Sequence, residues 1–339
     1  MISLWTSFVS YWWAESTDGR LSQPSTTLFG ANQDGAEGLV AEILEIYGKL
    51  KSRECLKPCD EVDALFERLV DICIVNRRSE ITAQVLEDSR LRAIRSDLRL
   101  LCEKAECCLE SHWAEIIIGQ GNASPDEVYQ RLKTFPYFQN YIDLTRLELS
   151  ALHGVRTDGS PITKIAFLGS GPLPLTSLCL SGLSNNPLPI SLPTIPSTSS
   201  TPITVLNIDL NPHAISQSTL LCQKLGPLIH GMEFLCALAG SPDVDLREFD
   251  VVYLAALVGS TQEEKERVLA DVVVRMRVGA LLVVRSADRL RRVLYPAFDP
   301  SSETVLKYLD ICAVVHPYDH VVNSVVIGKV KRREEVRTS

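Results

Sequence analysis

No stretch of the 339-residue chain reaches the roughly 18 consecutive apolar residues of a membrane-spanning helix, and its first residues lack the basic segment that opens a secretory leader. Surplus positive charge is missing as well: 34 Lys and Arg stand against 42 Asp and Glu, a net charge of -8. That balance argues against bulk nucleic-acid binding, which needs cations to displace phosphate counterions. Metal-chelating spacing is absent. His316 and His320 lie four apart without a third ligand close in sequence, and Cys55 and Cys59 do not form a C-x-x-C pair. Nor is there a disulfide framework. The ten cysteines are dilute and irregularly spaced, several within apolar runs, which points to reduced thiols and a cytoplasmic protein.

What is present is enough for about two domains. Apolar residues make up 45% and charged ones 22%, the balance of an ordinary globular chain. Residues 1–35 read as a flexible segment. Trp5, Phe8, Tyr11, Trp12 and Trp13 are followed by a Ser/Thr/Gly-rich stretch, and no Lys or Arg accompanies the aromatics, so stable membrane association is not expected. From 36 to 159 the apolar period is helical: Val40, Ile43, Leu44, Tyr47, Leu50; then Val62, Leu65, Phe66, Leu69, Cys73; then Leu91, Ile94, Leu98, Leu101, Ala105, Leu109, Trp113. A further helix opens at Ser124 with proline at its first position, breaks at Phe135-Pro136-Tyr137 and resumes through Tyr141, Leu144 and Leu147. This half reads as a helical bundle.

After Gly159 the period changes. Short Val/Ile/Leu runs at 162–168, 204–210, 250–257 and 280–285 alternate with helical segments at 173–183, 213–225 and 263–278. Apolar strands alternating with helices predict a parallel sheet covered on both faces. Runs at 311–316 and 324–330 predict a closing antiparallel pair. Residues 184–202, dense in Pro, Ser and Thr, predict an extended loop, and 331–339 a charged tail. The fold class expected is α/β, a Rossmann-like, mostly parallel sheet at 160–330 with an N-terminal α-helical bundle domain at 36–159.

The first strand runs into Gly169-Ser170-Gly171-Pro172-Leu173-Pro174. The third glycine of the dinucleotide pattern is Pro174, and Pro172 and Pro174 lack the N–H donors that a pyrophosphate would use. The turn therefore suits a nucleoside without phosphates, such as S-adenosylmethionine. Asp209, at the second strand's tip with Leu210 and Asn211, fits either ribose binding or a helix cap. Ala255, Ala256 and Leu257, small and apolar at the fourth-strand tip, fit a nucleoside floor or an ordinary buried strand.

Six blocks carry a family resemblance: LCEKAECCLESHW (101–113), FPYFQNYIDLTRLEL (135–149), FLGSGPLPLTSL (167–178), FDVVYLAALVG (249–259), VGALLVVRSADRLRRVLYP (278–296) and HPYDHVVNSVV (316–326). In this order they resemble nicotianamine synthase over roughly residues 90–330. The resemblance implies a helical domain capping a class I methyltransferase-type domain. It also implies use of S-adenosylmethionine as donor of 3-amino-3-carboxypropyl groups. Three are condensed, one closes to an azetidine ring, and methylthioadenosine is released. The product chelates iron, zinc, copper and nickel, so no metal is required by the enzyme.

Such chemistry needs a base for the attacking α-amine, and a carboxylate beside apolar surface can serve. On the most regular helix, Glu106 lies about 90 degrees from the centre of the apolar stripe, while Glu103 and Glu110 point further away. The resemblance places the essential glutamate in this block, with Glu106 first and Glu110 second; Glu103 reads as a solvated flank. It also implies a tyrosine hydroxyl in the chamber, Tyr137 first and Tyr141 second. Arg285 fits a substrate carboxylate or a structural salt bridge equally well; His316 and Asn323 are weaker substrate contacts. Leu238 stands where plant members carry an acidic residue near the adenine, which shifts that contact to the backbone or Asp243. Asp288 replaces their histidine, and the 184–202 insert is absent from plant members. The expected partners are small molecules, with homo-oligomerisation left open. A conventional S-adenosylmethionine-dependent methyltransferase is the runner-up, and a binding protein without turnover the third reading.

Overall fold

The computed structural model describes residues 35–156, 160–182, 203–255 and 258–332. The N-terminal aromatic stretch, the 184–202 insert, Ala256, Leu257 and most of the charged tail lie outside the described residues.

The helical period of the first half becomes α1 (Ala36–Lys51), α2 (Asp60–Ile74), α3 (Ser79–Glu87), α4 (Ser89–Ile118), α5 (Pro125–Leu132) and α6 (Phe138–Val155). Local chemistry sets several boundaries. The Asp88 side chain accepts from the N–H groups of Arg90 and Leu91 at the start of α4. Ser124 and Glu127 close a reciprocal capping box ahead of Pro125. α3 was not visible in the sequence, because nine residues with three buried positions carry too few turns to establish a period.

The second half contains β1 (Lys164–Leu168), α7 (Leu175–Gly182), β2 (Thr204–Asp209), α8 (Pro212–Leu225), β3 (Met232–Cys236), β4 (Val251–Leu254), α9 (Gln262–Val273), β5 (Leu281–Ser286), a 3₁₀ turn (Arg289–Val293), α10 (Glu303–Tyr308), β6 (Leu309–Val315) and β7 (Ser324–Val330). The sheet order is β3-β2-β1-β4-β5-β7-β6. β1 to β5 pair in parallel, and β7 pairs antiparallel with both β5 and β6. This is a Rossmann-like fold, with the first crossover reversal between β1 and β4. In open α/β sheets that reversal leaves a crevice at the strand tips. β3 escaped the sequence reading because it is a sheet edge with Glu233 and Leu235 both exposed, so no continuous buried run marks it.

One apolar core packs the β4–β5 region against α9, and a second covers the opposite face under α6 and α7. A third joins α1–α4 to the 3₁₀ turn through Leu290, Val293 and Leu294. Within α9, Lys265 is fully buried. Its Nζ donates to the Val258 carbonyl at 3.1 Å, under the loop that leaves β4. Burial pulls its ammonium down to about 7 from an ordinary 10.5. Between these values the unfolded chain holds a proton that the folded chain has released, so this group makes stability rise with pH, by about 1.4 kcal/mol per pH unit. Lys265→Met should remove that slope; denaturant unfolding of both proteins between pH 7 and 10 measures it, and parallel curves would contradict the assignment.

Candidate active site

The tips of β1, β2 and β4 open onto a cavity of about 460 Å³. Gly169 and Gly171 adopt φ of 79° and 67°, a region open to glycine. Side chains crowd both positions as well. A Cβ on Gly169 would lie 2.6 Å from Val258 Cγ2, and one on Gly171 would lie 2.6 Å from Glu110 Oε2. The turn's N–H groups are already used. Gly169 and Ser170 donate to the Ile208 carbonyl, and Gly171 donates to Asp209 Oδ2 at 2.9 Å. With Pro172 and Pro174 adding no donors, the turn has little left for a phosphate. Two hydroxyls that line the cavity, Ser170 Oγ and Ser177 Oγ, are buried without a partner among the described residues. They can hydrogen-bond polar groups of a ligand.

Asp209 stands where the strand pattern placed it. Its Oδ1 accepts from the Asn211 N–H at 2.8 Å, and the N-cap of α8 is Asn211, whose side chain accepts from His213 N–H. Asp209 is thus a fastener of the glycine turn rather than the helix cap, and its carboxylate lines the cavity with lone pairs left for hydroxyl donors. Leu210, Asn211 and Ala255 line the same space. Leu238 does so too, 57% exposed at the rim, whereas Asp243 lies outside the lining and accepts from the Ser241 hydroxyl. Asp288 is also absent from the lining; it faces Arg289.

A second, narrower cavity of about 110 Å³ lies among the helices, bounded mainly by apolar side chains from α2, α4 and α6, with Leu294 and Tyr295 beyond the 3₁₀ turn. Among the described residues, only Glu106, Glu110, Tyr141 and Asn323 line both cavities. Glu106 accepts from the Tyr295 hydroxyl at 2.9 Å, and Glu110 accepts from the Tyr141 hydroxyl at 3.0 Å. Burial pushes both carboxyls up. For Glu110 the charges of Glu106 and Asp209 add to that push against the Tyr141 hydrogen bond, and it rises well above the ordinary range. For Glu106 the Tyr295 hydrogen bond and the Arg285 charge pull the other way. Both carboxyls therefore lie above the ordinary range, Glu110 the more strongly.

The helical-wheel expectation that Glu110 points away from the buried face is overturned. α4 packs on two sides, its early turns in the bundle core and its last turns against α7 and α8, so one apolar stripe does not define its interior. Ser111, one residue on, clasps Gln217 of α8 through two hydrogen bonds of 3.0 and 3.1 Å. Glu103 also reaches the larger cavity's lining. Tyr137 lines the narrow cavity only, against Phe135, and Tyr141 is the hydroxyl at the shared wall. His316 lines neither cavity; it is exposed, with Nδ1 2.9 Å from Ser324 Oγ.

Arg285 is buried at the β5 tip, where it lines the larger cavity and is engaged in a salt bridge. Its Nε and Nη2 reach the two Glu148 oxygens at 2.8 and 3.2 Å, and Nη2 also reaches Thr176 Oγ1 at 2.6 Å. Its guanidinium also lies 5.3 Å over the Phe167 ring. Sequence reasoning missed Glu148, Tyr295, Gln217 and Asn140. Glu148 carried a signal, since a carboxylate among apolar helix positions needs a cation. Asn140 Oδ1 and Asn323 Nδ2 are buried on the narrow cavity without partners among the described residues.

Among the described residues no helix is long and apolar enough to cross a membrane. A family model described as nicotianamine synthase protein matches residues 31–335. Nicotianamine synthase 2 of Arabidopsis thaliana is 34% identical over 291 residues, 86% of this chain and 83% of that protein. The nicotianamine synthase of Solanum lycopersicum is 35% identical over 292 residues, with 86% and 83% covered. Among solved structures, MtNAS in complex with MTA and tNA aligns with a TM-score of 0.67 at 19% identity, covering 87% of this chain and 98% of that one. A glutamate-to-glutamine mutant of MtNAS in complex with S-adenosylmethionine aligns with a TM-score of 0.66 at 20% identity, covering 86% and 98%.

Proposed function

The chain belongs to the nicotianamine synthase family, and from that membership we infer that it transfers 3-amino-3-carboxypropyl groups from S-adenosylmethionine, builds nicotianamine and releases methylthioadenosine. The observation that carries the site assignment is the wall of Glu106, Glu110, Tyr141 and Asn323 shared by two cavities. The larger cavity takes the donor. Its glycine turn and Asp209 hold the nucleoside, Asp209 accepting from the ribose hydroxyls, with Ser170 and Ser177 as further polar contacts. The narrower cavity takes the acceptor and the growing chain, whose polar heads meet Asn140 and Asn323. Residues 36–159 act as the cap and 160–330 as the donor domain.

At the wall, Glu106 removes a proton from the acceptor α-amine. The freed nitrogen lone pair attacks the donor carbon that joins the aminocarboxypropyl chain to sulfur. The C–S electrons pass to sulfur, and the sulfonium leaves as the neutral thioether methylthioadenosine. Selection among the sulfonium's three carbons is positional: the one in line with the amine reacts. Protonated Glu110 and the Tyr141 hydroxyl orient the amino-acid groups. We place the protein in the cytoplasm, where its ten free thiols are stable, with small molecules rather than nucleic acid as its partners.

Incubating the purified chain with S-adenosylmethionine alone should yield methylthioadenosine and nicotianamine by mass. S-adenosylhomocysteine would instead identify a methyltransferase, and bound nucleoside without product a binding protein. Asp209→Asn should raise the KM for S-adenosylmethionine by roughly tenfold or more, with a smaller change in kcat, since a hydrogen bond to a charged acceptor contributes about 1.5–3 kcal/mol. An unchanged KM would remove Asp209 from the ribose site.

A further inference from the structure

Arg95 and Arg99 lie one turn apart on α4, so they share a face. Arg99 donates Nε to the Arg292 carbonyl at 3.1 Å, and its Nη2 reaches the same oxygen, seating the guanidinium against the 3₁₀ turn. Arg95 Nη1 donates to the Leu86 carbonyl at 3.3 Å. Arg292 Nε is buried without a hydrogen-bond partner among the described residues. Among the described residues none of the three has a carboxylate partner, whereas Arg53, Arg68, Arg90 and Arg92 of the same half are each ion-paired. Asp97, beside them on α4, is taken by Lys51 and Tyr47, and Glu103 faces the larger cavity. Burial, with the charges of Arg95 and Arg292, pulls Arg99 down to about 10. Arg99 therefore stays cationic near neutral pH, and among the described residues Arg95 and Arg99 reach only backbone carbonyls while all three side chains are partly buried.

We propose that Arg95, Arg99 and Arg292 form a binding site for a multivalent oxyanion of the phosphate class, at the junction of α4 and the 3₁₀ turn. Guanidinium forks match tetrahedral oxyanions in pairs of parallel hydrogen bonds, and a dianion answers several cations at once. The place matters as well as the charge. α4 carries Glu106, and the 3₁₀ turn leads directly to Tyr295, so an anion here braces the two elements joined by the Tyr295–Glu106 hydrogen bond.

The full-length protein is titrated calorimetrically with inorganic phosphate, and separately with glycerol phosphate, at ionic strength held constant with chloride. Saturable binding of about one equivalent is expected, weakened at least tenfold in the Arg95→Gln/Arg292→Gln double variant; Arg99 is kept because it ties α4 to the turn. Binding of both anions supports a site for free phosphate, and binding of the ester alone supports a phosphomonoester. Should the double variant fail to fold, Arg95→Lys, which keeps the charge and loses the fork, should bind several-fold more weakly than the wild type. Absence of saturable binding by either anion, or equal affinity in wild type and a folded variant, overturns the proposal.

Discussion

Glu106→Gln abolishes most turnover, a loss of about 10²–10⁴-fold, the usual contribution of a positioned general base, while S-adenosylmethionine still binds. Glutamine keeps the size of the side chain and an acceptor for the Tyr295 hydroxyl, so the cavity wall survives and only proton removal fails. The contrast with Glu110 makes the test sharp. Glu110 is the carboxyl pushed furthest up, by burial and by the charges of Glu106 and Asp209. Glutamine is close in shape and hydrogen bonding to a protonated carboxyl, so Glu110→Gln should retain much of the activity. Methylthioadenosine release and calorimetric donor binding measure both variants; a dead Glu110→Gln beside an active Glu106→Gln would reverse the roles. The base acts only when deprotonated and burial raises Glu106 above its ordinary 4.5, so kcat/KM should fall on the acid side at a pH above the usual carboxylate range. Tyr295→Phe removes a hydrogen bond that favours the charged form, and should move that limb to higher pH.

The largest stability effect is expected at Glu148. This carboxylate is fully enclosed, and its two oxygens face Arg285, itself almost wholly buried. Truncation to alanine leaves a guanidinium in a low-dielectric interior with only Thr176 and the Phe167 ring for company. Breaking a buried pair from one side costs about 3–5 kcal/mol, a large share of a domain's stability. Replacing both partners by apolar residues, as in Glu148→Leu with Arg285→Met, should recover most of that loss, because no orphan charge remains. Denaturant unfolding of the two single variants and the double variant measures the coupling. If Glu148→Ala unfolds at the wild-type midpoint, the pair is not what holds α6 to β5. Turnover of the double variant then reads whether Arg285 also serves substrate.

The parts of this architecture that follow a simple period were legible in the sequence. β1, β2, β4 and β5 are buried on both faces and appear as apolar runs, and the Ser124-Pro125 start of α5 declares itself by capping chemistry. β3, at the sheet edge, and α3, too short for a period, did not. At the site, the glycine turn and Asp209 were found because strand-tip positions are fixed by topology. Glu106 came from the family block, and Glu110 was placed on the wrong side because a wheel assumes one buried stripe. Tyr295 and Glu148 are 189 and 137 residues from the side chains they bond, and no local pattern encodes such a meeting.

α4 is a single rod of 30 residues, about 45 Å long, and it crosses two separate apolar cores. Leu91 and Leu98 are anchored in one, Ile117 and Ile118 in the other, and the two carboxyls stand on the span between. Melting of either core frees one end of the rod and carries Glu106 and Glu110 away from their tyrosines. Catalysis is therefore a reporter of whole-molecule cooperativity: residual activity during heating should track whichever core gives way first, ahead of the bulk loss of helical signal.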